Sequence, residues 1–87
     1  MSVKFFVDGF RNLVAEMDGE RETMIAPRFL QNESKTKAAK YLREVAAQLT
    51  KLYNAGQVDK AGALLEEAEG KIRDAQTAEK FMEEVTF

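Results

Sequence analysis

Two stretches of this chain carry mirror-image apolar spacing, and that limits what it can fold into more than any other feature. From Ala38 the apolar positions run Ala38, Leu42, Val45, Leu49, Leu52, in steps of 4, 3, 4, 3. After Asn54-Ala55-Gly56 they run Val58, Ala61, Leu65, Ala68, Ile72, in steps of 3, 4, 3, 4. Steps of three and four place residues on one face of a helix. A reversal of their order about a glycine turn sets Leu52 opposite Val58, Val45 opposite Leu65 and Ala38 opposite Ile72. The spacing predicts an antiparallel helical hairpin with an a/d seam, an antiparallel coiled coil in miniature. Large residues face small ones along it, which lets two helices approach without voids. Gly56 is placed to take the left-handed conformation just past the first helix.

A local resemblance supports the same hairpin. Leu52 to Ala68 resembles the middle of a tetratricopeptide repeat, with Gly56, Ala61, Leu65 and Ala68 at the turn, small, large and small positions. It covers about seventeen residues. Arg73 stands where the repeat has its later proline, and no second copy follows. The resemblance implies a tight pair of helices and nothing about ligands.

The rest of the chain is read around that hairpin. Val3, Phe6, Val7, Phe10, Leu13, Val14 and Met17 share one face at 100° per residue, so Ser2–Met17 reads as an amphipathic helix capped by Ser2. A rival reading makes Phe5-Phe6-Val7 and Phe10-Arg11-Asn12-Leu13-Val14 a two-residue β-hairpin about Asp8-Gly9. Seven positions obeying the helical period favour the helix. Asp18-Gly19 then ends it, and Glu20 to Ala26 restart as a short helical turn before Pro27. Ala39, Ala46 and Tyr53 form an apolar flank on the second helix, where the first would dock. The second helix is expected to start after Ser34 and the third to run toward Val85. The expected fold is therefore all-α: one domain over residues 1–87, a three-helix bundle, with self-association as a route to completing its thin core.

Function is less constrained. The chain has no histidine and no cysteine. The commonest general base, metal ligand and thiol nucleophile are therefore missing. Both serines, Ser2 and Ser34, stand at expected helix starts, where capping is their ordinary role. The glutamates of the last third mostly lie off the apolar stripe, as solvated residues do. No enzyme and no cofactor or metal site is expected. No apolar run is long enough for a secretory signal or a membrane span, so a cytoplasmic, soluble, small acidic protein is expected.

Two surfaces suggest partners. Beyond Ala75 the apolar stripe of the third helix turns by more than 90°, so Phe81, Met82 and Val85 leave the hairpin seam. With Phe87 and with Phe5, which lies opposite the first helix's stripe, they form a candidate interface for a protein partner, a second copy first among them. Charge is also uneven. Residues 28–58 hold 6 basic and 2 acidic groups, and residues 59–87 hold 4 basic and 8 acidic ones. Complementary flanks of the hairpin account for this. The alternative is an anion site at the start of the second helix, where Arg28, Ser34, Lys35, Lys37, Lys40 and Arg43 would hold a nucleotide or nucleic-acid phosphate. A sequence pI of about 5.2 disfavours general duplex binding. The leading expectation is a non-enzymatic, self-associating protein-interaction module.

Overall fold

A computed structural model describes residues 3–27 and 32–78, with the side chains of 32–34 and 77–78 excluded. The chain is α+β. Three antiparallel strands, β1 (Lys4–Val7), β2 (Leu13–Met17) and β3 (Glu20–Ile25), precede two helices, α1 (Asn32–Asn54) and α2 (Val58–Ala78). The sheet order is β1-β2-β3. An N-terminal helix and an all-α three-helix bundle are thereby ruled out.

The correction has a local cause at each turn. Asp18 and Gly19 have φ of 52° and 82°, and Met17 pairs with Glu20 across them. Two consecutive left-handed residues between paired strands make a tight hairpin turn whose twist matches the strands. Asp18-Gly19 thus joins two strands and ends no helix. Residues 20–25 form β3, where the helical reading expects a turn. The first connection is a strand pair too, as the rival reading holds, but its loop spans Asp8–Asn12, longer than two residues. Phe5 pairs with Ala15 and Phe6 with Val14.

Alternation sorts the side chains. Phe5, Val7 and Leu13 pack into or against the main core, and Ala15 follows on the same face. Phe6 lies on the opposite face between two cations, Lys4 at 6.0 Å and Arg21 at 5.3 Å from its ring centre. Between the Leu13–Ile25 and Val14–Thr23 pairs the register slips. Met24 is the extra residue on β3. The bulge brings both Met24 and Ile25 to the core, which strict alternation forbids.

The helical hairpin is present. Gly56 has φ of 79°, the Gln57 amide donates to the Leu52 carbonyl at 2.9 Å, and that of Gly56 donates to Tyr53 at 3.1 Å. This pair of bonds closes the end of α1 with glycine in the left-handed position. A link of three residues between packed helices makes them antiparallel. It is not a coiled coil, because α1 is buried on two sides. Ala38, Leu42, Val45 and Leu49 are buried together with Ala61, Ala68, Ile72 and Ala75 of α2. The side of α1 that carries Thr50 and Tyr53 takes β1 in place of a helix.

Candidate functional site

α1 grips β1 by its outer edge. β1 is an edge strand, so alternate backbone groups point away from β2 and need partners. The Val3 amide donates to Asn54 Oδ1 at 3.0 Å, and Asn54 Nδ2 donates to the Val3 carbonyl at 3.0 Å. Two residues along, the Phe5 amide donates to Thr50 Oγ1 at 2.9 Å. The Thr50 hydroxyl donates to the Ala46 carbonyl at 2.9 Å. The spacing matches: two residues of strand rise ~6.6 Å and four residues of helix ~6.0 Å. A single side-chain amide thus imitates the neighbouring strand that β1 lacks. Phe5 and Tyr53 meet just inside this seam, ring centres 6.1 Å apart and planes tilted by 59°.

Toward the Gly56 turn the helices and the sheet part. Leu52, Leu64 and Leu65 are half-buried, and Val58, which the seam reading sets opposite Leu52, is 51% exposed. The result is an open cleft of about 220 Å³ with apolar walls from Phe5, Met17, Met24, Tyr53, Val58 and Leu65. Its size decides what it can hold. A cavity of roughly 150 Å³ accommodates benzene, whereas drug-sized ligands and cofactors occupy roughly 300–1,000 Å³. The apolar part by itself has room for about one aromatic or branched side chain, and the polar hollow that adjoins it is larger, about 670 Å³. Glu22 belongs to the wall of the apolar part, and the hollow continues from it past Asp18 and Glu20.

The residues singled out in the sequence are distributed differently. Phe5 is a wall of the cleft, carried by a strand and turned toward Tyr53. Phe81, Met82, Val85 and Phe87, and the course of the chain toward Val85, lie outside the described residues, as does Arg28. Gln76 near the end of α2 donates to the Ala26 carbonyl at 3.3 Å, so the crossing segment after β3 meets α2 there. α1 begins at Asn32, which makes Ser34 its third residue and not its cap. Lys37, Lys40 and Arg43 are exposed, and Lys35, ~140° around the helix from Lys40, is half-buried. Arg43 stands ~16 Å along the axis from the first residue of α1. Of the six proposed anion ligands, Lys35, Lys37, Lys40 and Arg43 are therefore spread around and along α1, while Arg28 and the Ser34 side chain lie outside what is described.

Four residues of consequence escape the period-based reading. Asn54 is read only as part of the turn, and Thr50 is not singled out. Met17 and Phe10 are assigned to a buried helical face, yet they are 37% and 86% exposed. The available signals were Asp18-Gly19, the strongest short hairpin pair, and Asp8 set two and four residues before Phe10 and Asn12, the spacing of an Asx turn.

Among the described residues no group of three acidic, cysteine or histidine side chains is placed to hold a metal ion. None of their helices is long and apolar enough to cross a membrane. No family model, curated protein or solved structure matches the chain.

Proposed function

We propose that this chain is a non-enzymatic protein-interaction module that self-associates and works in the cytoplasm. The supporting observation is the cleft between sheet and hairpin: apolar walls, room for one side chain, and exposed Val58 and Met17 at its mouth. Buried aromatic and aliphatic anchors filling such pockets dominate the energetics of protein interfaces. Phe5, first read as part of an interface, contributes as a wall of this cleft.

The test is affinity capture from native cells on immobilised protein, comparing three baits. Wild type and Lys37→Glu/Lys40→Glu should retain the same proteins, and Val58→Glu should lose them. Loss with the lysine pair and retention with Val58→Glu would contradict the proposal and favour an anion-binding role for α1.

A further inference from the structure

We infer that the cleft receives Phe10 of a second copy of this chain, with Arg11 beside it meeting the acidic rim. The inference rests on the interaction reading above and names its occupant. Among the described residues three large apolar side chains are exposed: Phe10, Met17 and Val58. Two belong to the cleft and the third is a knob. Phe10 sits at the tip of the β1–β2 loop, and that loop is held. Asp8 Oδ1 accepts from the amides of Phe10 at 2.8 Å and Asn12 at 2.9 Å. The Asp8 amide donates to the Asn12 carbonyl at 3.0 Å, and the Arg11 amide donates to that of Asp8 at 3.1 Å. Arg11 accepts a φ of 64° in the process. The loop thus offers an aromatic ring to solvent in a defined place, with little ordering left to oppose docking.

Charge matches across the contact. Arg11 is exposed beside the knob and makes no ion pair among the described residues. Asp18, Glu20 and Glu22 border the cleft and its polar extension, likewise without ion pairs there, while Arg21 is engaged by Glu16 at 3.1 Å. Knob and cleft do not meet within one copy. The Phe10 ring is 86% exposed and lines neither the cleft nor its polar extension. Two copies side by side with strands opposed would satisfy both contacts and close a pair. Copies placed end to end would form an open chain.

Sedimentation velocity on the full chain, from micromolar to millimolar protein, is the test. Wild type should show a weight-average mass that rises above the 9.8 kDa of one copy. Phe10→Ala and Val58→Glu should each stay at one copy, with circular dichroism unchanged, and their mixture should associate again because it supplies one intact knob and one intact cleft. Arg11→Glu should shift the rise to several-fold higher concentration. A wild-type chain that stays single throughout overturns the inference. So does Phe10→Ala associating like wild type, or Val58→Glu leaving association intact. Of these, a wild-type chain that stays single also removes the self-association in the reading above, whereas Phe10→Ala associating like wild type removes the named occupant alone; a foreign partner lost with Val58→Glu still supports the cleft as a docking element.

Discussion

Asn54, the last residue of α1, exchanges two 3.0 Å hydrogen bonds with the backbone of Val3, 51 positions earlier. One side chain thereby ties the start of the sheet to the end of a helix and shields an edge that would otherwise recruit foreign strands. Asn54→Ala should destabilise the protein by about 1–2 kcal/mol, since two backbone groups must turn to water. Urea unfolding should show a lower midpoint at unchanged slope. Thr50→Val keeps the shape and removes the acceptor for Phe5, and should cost ~1 kcal/mol.

The same substitution should act with opposite sign at two glycines. Gly56 has φ of 79°, and Gly62 lies inside α2 with open space where a Cβ would stand. Gly56→Ala should cost ~1–2 kcal/mol, because a Cβ opposes the left-handed conformation. Gly62→Ala should stabilise by up to ~1 kcal/mol through helix propensity. Thermal melts of the two variants decide it.

Core truncations should grade along the hairpin. Leu42 is fully buried, and Leu65 is half-buried at the cleft. Leu42→Ala should cost ~2–5 kcal/mol, and Leu65→Ala distinctly less, because part of its surface already meets water. Equal losses in equilibrium unfolding would mean the cleft is closed in solution.

Phe10→Ala should leave stability within ~0.5 kcal/mol of wild type, since its ring is 86% exposed and the loop is held by Asp8. The melting temperature checks this independently of association.

The helical hairpin was legible because its residues obey one rule on one side: Ala38 to Leu52 and Val58 to Ile72 repeat in threes and fours, with a glycine between. The sheet was not, for reasons visible in particular residues. Phe5 and Val7 face the core while Phe6 and Val14 are apolar on the other face, so period-two alternation is erased from β1 and β2. Phe10 fell on the helical stripe by coincidence. On β3, Glu20 to Thr23 are all exposed, and a strand with so little to bury carries almost no apolar pattern. The bulge at Met24 then breaks what alternation remains. The flank of Ala39, Ala46 and Tyr53 is apolar in the sequence, but the helix expected to dock on it is a strand pair. Only β1's backbone edge, met by Thr50 and Asn54, tells strand from helix, and backbone groups leave no trace in apolar spacing. Val58 is 51% exposed and lines the cleft, where idealised seam pairing would bury it.

The most direct measurement is a set of proton–proton contacts in solution by NMR. The structure requires cross-strand contacts between Phe6 and Val14 and between Phe5 and Ala15, together with contacts from the Asn54 side-chain amide to Val3. Helical contacts running without interruption from Val3 to Met17, with none to Asn54, would contradict it.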